Sequence, residues 1–323
     1  MPKTLIEAIE YYGDEQRCID TVAALRWPDG TPICPKCGAV ENGRKHYWLA
    51  AQKRWKCYQC RKQFSVKVDS IFEESPLSLR IWLTAMWMLI NCKNGVSSHE
   101  IARECGISQK SAWHLLHRIR HGLGNEAPTL IGGPAQIVEC DETFIGGKIT
   151  NKHVKDRERM QRHITMRDPK TPVMGMLDRE ARQVRAKVIP YVRREVLQQE
   201  ILDNISRGSK VFTDGEKGYQ SLAESNYVHD TVNHVYEYVR GEVHTNGIEN
   251  FWSLLKRSLK GTYVAVEPFH LDRYVGEQVF RFNNRATKEN PLTNADRFAL
   301  ALSKIAGKRL PWAVLTGQVP GTC

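Results

Sequence analysis

Residues 136–147 read QIVECDETFIGG. The run is rich in β-branched and aromatic residues and is stopped by a glycine pair, the pattern of a strand, here carrying Asp141. On either side the chain alternates β and α patterns. TPVMGMLDREARQVRAKVIP (171–190) reads as two strands joined at Asp178-Arg179, and EVLQQEILDNIS (195–206) as a helix. SKVFTDGEKGY (209–219) reads as a strand that stops at Asp214-Gly215, followed by a weak strand near Val232 to Tyr238. HTNGIENFWSLLKRSLKGTY (244–263) is a helix ending near Gly261. Three strands, a helix, a strand and a later helix predict an α/β domain with helices packed on a mixed sheet.

Three carboxylates then stand at the ends of elements: Asp141, Asp214 and, 34 intervening residues further on, Glu249. Glu142 competes with Asp141, but successive side chains of a strand point to opposite faces, so only one of the two is expected in a shared site. Asp178, Glu142 and Glu216 are expected to be ordinary surface acids. Acids gathered from distant elements repel unless cations sit among them, and hard carboxylate donors suit magnesium or manganese. On the helix, Lys256 falls about 20° from Glu249 and Lys260 about 20° to the other side, so one face presents an acid and then two lysines. That order would lay a phosphate backbone over the ion. Asn246 is about 60° away, and Trp252 is expected in the core.

Upstream, nine cysteines in a chain expected to be unexported favour metal over disulfides. Cys34, Cys37, Cys57 and Cys60 form CxxC-x19-CxxC, two knuckles that aim four thiolates at one structural zinc. Short aromatic runs between and after them, HYWLA and RWKCYQCRKQFSVKV, predict small antiparallel strands, a zinc ribbon over 31–70 stabilised by its metal. Lys53, Arg54, Lys56, Arg61, Lys62 and Lys67 crowd the second knuckle and predict nucleic-acid contact. LSLRIWLTAMWMLINC (77–92) reads as a buried helix. In SSHEIARECGISQKSAWHLLHRIRHGL (97–123), Ser97 or Ser98 can cap one helix, Gly106 permits a turn and Ser108 can cap a second. This is a helix-turn-helix pattern over 76–125, with Arg118 and Arg120 expected to face outward toward a major groove.

The net charge is +11. Thr31 to Val68 contributes +8 and Lys148 to Lys170 contributes +5, so the rest of the chain nets −2. Two basic patches are the footprint of a polyanion binder, and Lys148 with its segment is expected to be a DNA-contacting insertion. The apolar stretch Ile81 to Ile90 is half the roughly 20 residues of a membrane span. The N-terminal MPKTLIEAIEYYGDEQ has acids where a secretory signal has its apolar core. A cytoplasmic, nucleoid-associated chain with no membrane partner is expected.

RWPDGTPICPKCG, CYQCRKQFSV, CDETFIGGK, TDGEKGY and HTNGIENFWSLLKRSLKGTY, in that order, resemble the ISXO2-like transposases of bacterial insertion sequences, from about Arg26 to Arg285. The resemblance implies a ribonuclease-H-like catalytic domain over 132–265, a DDE triad of Asp141, Asp214 and Glu249, and Lys256 as the lysine seven residues after the third acid. It implies two-metal phosphoryl transfer that nicks element ends and joins them to target DNA, with no Ser, Tyr or Cys nucleophile; Tyr219 and Tyr236 are read as structural. Double-stranded DNA is the implied substrate, and a homo-oligomer on paired ends is expected by resemblance alone. An N-terminal helical segment (1–30) and C-terminal helices (266–323) complete the expected layout. Two other readings are a structure-specific nuclease of the same fold and a transposase-derived DNA-binding regulator. The separate recognition half argues against the first, and an intact triad against the second.

Overall fold

The computed structural model describes residues 2–41, 43–124, 129–147, 170–214, 217–219, 226–232 and 243–318. Lys148 and the rest of the expected insertion through Pro169, as well as Glu216 and Tyr236, lie outside them. The chain forms two compact units, one from Met1–Gly124 with Asn284–Cys323, the other from Asn125–Asn283. Among the described residues no helix is long and apolar enough to cross a membrane.

The first unit begins with α1 (Leu5–Tyr11), capped by Thr4, and α2 (Glu15–Arg26), capped by Asp14. The ribbon follows as β1 (Tyr47–Leu49), β2 (Arg54–Lys56) and β3 (Gln63–Phe64), an antiparallel sheet in that order. Its apolar interior is small: Trp55 stacks on Phe64 at 5.8 Å and meets Trp27, just past α2, edge-on at 5.3 Å. The buried helix α3 (Leu79–Asn91) leads to α4 (Ser98–Cys105) and α5 (Gln109–Leu123). Ser97 forms a capping box with Glu100, Gly106 turns at φ 65° and Ser108 accepts from Ser111 N–H, so the capping read from sequence is present at all three places.

Arg118 and Arg120 do not face outward as expected. They are 5% and 2% exposed, because the second half of α5 is enclosed by the unit rather than lying on its surface. Arg118 donates to the Glu73 carbonyl at 2.5 Å and lies over the Trp82 ring at 5.3 Å. The exposed residues of this helix are at its start, Gln109 and Lys110.

In the second unit, β4 (Ile137–Ile145), β5 (Thr171–Asp178), β6 (Gln183–Val188), β7 (Lys210–Asp214) and β8 (Val228–Val232) form one sheet of order β6-β5-β4-β7-β8. The first three strands run antiparallel in sequence, while β4, β7 and β8 are parallel, so the domain is mixed α/β. The strand expected near Val232 to Tyr238 lies, beyond Val232, outside the described residues. Alternation along β4 sends Val138 and Cys140 to one face, where Leu197 and Ile201 of α6 (Arg194–Asn204) cover them. On the opposite face α7 (Asn246–Ser258) lays Ile248, Phe251, Trp252 and Leu255 against Val173 and Leu177. α8 (Pro268–Asn283) brings Leu271, Val275, Val279 and Phe282 to the same layer, so part of the expected C-terminal segment completes this core. The helix Asn294–Ser303 instead belongs to the first unit, where Ala306 bridges Ser70.

Gly175, paired with Asp141, sets how closely α7 can approach. A Cβ there would lie 2.6 Å from the Trp252 ring and 2.9 Å from Ile248 Cδ1. Gly175→Ala should destabilise the protein by about 1–3 kcal/mol, the usual cost of overpacking. A chemical-denaturation midpoint equal to wild type would contradict this packing.

Candidate functional site: an acid cluster and a four-cysteine centre

Two sets of potential metal ligands assemble among the described residues, one in each unit. The first is Cys34, Cys37, Cys57 and Cys60. In both knuckles the residue after the second cysteine takes a left-handed conformation, Gly38 at φ 72° and Arg61 at φ 60°. Backbone N–H groups fold back to match: Gly38 donates to Cys34 at 2.8 Å and Arg61 to Cys57 at 3.1 Å. Sulfur separations are 3.8 Å for Cys34 and Cys60 and 3.7 Å for Cys37 and Cys57. Four thiolates at about 2.3 Å from a tetrahedral zinc are about 3.8 Å apart, so the donor set and its spacing fit that ion. Lys53, Arg54, Arg61 and Lys62 around it are exposed and Lys56 is half-buried.

The second set is Asp141, Glu142 and Asp214, whose ligand oxygens lie within 4.8 Å of one another. Both acids of the Asp141-Glu142 pair therefore reach the site, against the expectation that alternation admits only one. Pairing between β4 and β7 ends at Cys140 with Thr213, and past that point the longer Glu142 side chain can turn around the strand edge. It accepts a hydrogen bond from the Tyr219 hydroxyl. Tyr219 is buried, in line with its structural reading. Trp252 is a core residue as expected, yet its indole N–H also donates to Asp141 Oδ2 at 2.9 Å.

Glu249 stands on the first turn of α7, exposed, and its carboxylate accepts from the Thr245 hydroxyl at 3.1 Å. It is not part of the tight cluster, but its charge is felt there. Burial first, then the charge of Asp214 and, more weakly, that of Glu249 push the Asp141 carboxyl up to about 6, partly countered by the Trp252 hydrogen bond. Lys256 is exposed two turns further along the same face of the helix. α-Helical geometry ends at Ser258 and Leu259–Tyr263 forms a π-turn, so Lys260 is not at its α-helical angle; it still lines the same cleft as Lys256.

A residue that the sequence reading passed over holds this arrangement. Glu139, 1% exposed, accepts from Arg179 Nε at 2.6 Å and from Ile248 N–H at 2.9 Å, tying β4 to the start of α7. Arg179 also donates to the His244 carbonyl at 2.7 Å. The available signal was the spacing: Glu139 is two residues from Asp141 and so on its face of the strand. Asp178, expected on the surface, is 4% exposed and accepts from Gly132 and Ala181 N–H groups, closing the turn to β6.

The raised Asp141 carboxyl has a thermodynamic consequence. Its folded value, about 6, exceeds the ordinary 3.8, so in metal-free protein holding the carboxylate buried and beside Asp214 costs stability, a cost that is absent at low pH and grows as pH rises from 3.8 through 6. With chelator present, Asp141→Asn should raise the thermal midpoint at pH 8, with the gain fading toward pH 4. A pH-independent difference would show that Asp141 is not in this environment.

Residues 131–283 match the family profile described as the ISXO2-like transposase domain, and residues 13–63 match the zinc-ribbon domain of the same transposases. A protein in transposable element ISH50 of Halobacterium salinarum is 28% identical over 262 residues, 78% of this chain and 85% of the relative. A transposase-like protein of Haemophilus influenzae is 32% identical over 101 residues, 31% of this chain and 81% of the relative. Among solved structures, a chain of the simian T-cell lymphotropic virus intasome in complex with PP2A regulatory subunit B56 gamma aligns with 62% of this chain and 70% of its own length, at 14% identity and a TM-score of 0.32. With zinc-ribbon and transposase-domain profiles matched in order, and the motifs of both in place, the chain belongs to the ISXO2-like family of insertion-sequence transposases.

Proposed function

We propose that the chain is a metal-dependent DNA transposase that binds the ends of its element, nicks them and joins them to target DNA, on a ribonuclease-H-like domain. The observation that carries this reading is the convergence of Asp141 and Glu142, in the middle of β4 just past its last pairing with β7, with Asp214 at the end of β7, next to a helix presenting Glu249 and Lys256. The donors are all hard oxygens, which suit magnesium or manganese and not the zinc of the cysteine centre. An octahedral ion at about 2.1 Å separates its donors by about 3–4 Å, within a small side-chain adjustment of the cluster. The Asp141 carboxyl is raised first by burial and then by the charge of Asp214, and a cation among the acids offsets both.

Asp141 and Asp214 are the residues to hold the first ion with Glu142 beside them, and Glu249 is the acid available to a second. Bound divalent ions supply Lewis-acid polarisation of the scissile phosphate and offset charge on the entering and leaving oxygens. The chain's own part is positioning: Trp252 fixes the orientation of Asp141, and Lys256 and Lys260 take backbone phosphates. In-line displacement by water and then by a DNA 3′-hydroxyl requires no protein nucleophile. Recognition is assigned to the exposed ribbon residues Lys53, Arg54, Arg61 and Lys62, and to Gln109 and Lys110 at the start of α5, since recognition helices read bases with their N-terminal residues. Arg118 and Arg120 are assigned to packing. Pairing of two ends by a homo-oligomer remains part of the proposal.

The test is purified protein with magnesium, labelled terminal-repeat DNA and a target plasmid. Asp214→Ala should lose cleavage and joining by at least about 100-fold, the scale of removing one preorganised electrostatic stabiliser, while still binding ends. A variant that joins normally would remove Asp214 from the site, and wild-type cleavage without joining would favour a nuclease. Arg61→Ala should weaken DNA binding across sequences and lower the salt slope of log K by about 1. An unchanged slope would mean that the ribbon does not grip phosphates.

A further inference from the structure

Along α7, beyond the acid cluster, Lys256 and Lys260 also line a cleft whose other walls have no part in the reaction above. After the π-turn, Val264 adopts φ 61° and ψ −60°, and the Ala265 N–H donates to the Tyr263 carbonyl at 2.7 Å. This is a three-residue γ-turn of the strained, positive-φ kind, at a position that disfavours a β-branched residue. The strain is not offset by burial, since the Val264 side chain is 78% exposed. Phe144, the residue three positions beyond Asp141 on β4, is 53% exposed. Both line one cleft of about 680 Å³ together with Gly146, Lys256, Lys260 and Glu267. Its polar rim thus carries two cations against one acid, and its remaining wall is apolar.

We propose that this cleft receives one unpaired base of the DNA strand that passes the acid cluster. The inference rests on the reading of the chain as a DNA-joining enzyme and adds to it a local unpairing of the substrate. Phe144 stacks on the base, Val264 supplies an apolar wall, and Lys256 and Lys260 hold the flanking phosphates. An aromatic face beside lysines is the combination that binds single-stranded nucleic acid without sequence preference. An enzyme that takes a base from the stack bears the unpairing cost, which such contacts offset. Lys256 lies seven residues beyond Glu249, about 10 Å along the helix. At 3.4 Å per stacked nucleotide this places the base about three nucleotides from the scissile phosphate.

The experiment uses the full chain with magnesium and duplex DNA ending in a five-nucleotide single-stranded overhang, with 2-aminopurine placed in turn at each overhang position. Fluorescence should change most at one position, near the third. Phe144→Ala should abolish that change and weaken overhang binding about tenfold, the lower range of one lost base stack, with blunt-duplex binding unchanged. Phe144→Trp should restore it. Val264→Gly, in which glycine accepts the turn conformation freely, should weaken overhang binding without disturbing the backbone. The inference is overturned if all positions respond alike, or if Phe144→Ala binds the overhang as tightly as wild type. Cleavage and joining by wild type without a position-specific signal would sink the base pocket alone. Failure of wild type to bind either DNA would sink both the pocket and the DNA-joining reading.

Discussion

The transposase domain depends on one buried carboxylate. Glu139 accepts the Ile248 N–H at the first turn of α7 and pairs with Arg179, so a negative charge meets the positive end of the helix in a place from which water is excluded. The contact requires a residue without a side chain just before Ile248, since a Cβ on Gly247 would lie 2.9 Å from Glu139 Oε2 and 2.3 Å from Leu177 Cδ2. With the start of α7 pinned to β4, the helix has one way to lie: Ile248, Phe251, Trp252 and Leu255 fall onto the sheet, and Glu249 and Lys256 face out. Removing Arg179 would take the guanidinium from a buried carboxylate, a loss typically of about 3–5 kcal/mol. The ion pair thus positions the site without belonging to it.

The first unit solves a different problem. Its ribbon strands are two or three residues long and carry a handful of aromatic rings, too little apolar area to stand alone, and four sulfurs at tetrahedral spacing supply the missing constraint. Basic side chains remain outside because the ribbon has almost no interior to place them in. In the helical part the opposite holds: α5 is enclosed along its second half, and Arg118 reaches a backbone carbonyl and an indole face instead of solvent.

Local chemistry was legible in the sequence. Two CxxC pairs, the caps at Ser97 and Ser108, the left-handed Gly106 and the order of strands and helices all follow from residues a few positions apart, and each is found in place. What is not legible is any side chain whose surroundings come from elsewhere in the chain. Arg118 and Arg120 looked like an outward pair because helical spacing does not say which faces neighbours will cover. Glu142 was set aside by strand alternation, a rule that weakens where the adjoining strand stops pairing at Thr213. Glu139 drew no notice because a lone acid in a strand has no sequence mark of the arginine that neutralises it.

The sequence by itself therefore determined the chemical inventory: a four-thiolate centre, a mixed α/β domain carrying the acids, with Asp141 in the middle of its strand and not at the end expected for it, and a helix carrying an acid and a lysine, with a second lysine in the turn that follows. These depend on residue type and short-range spacing, which the chain carries wherever it folds. Only the tertiary structure decided which acids meet, which arginines are buried, and that α7 opens into a π-turn holding Val264 out beside Phe144. Those outcomes depend on what packs against each side chain, and burial, charge repulsion and backbone strain exist only once distant segments share one space.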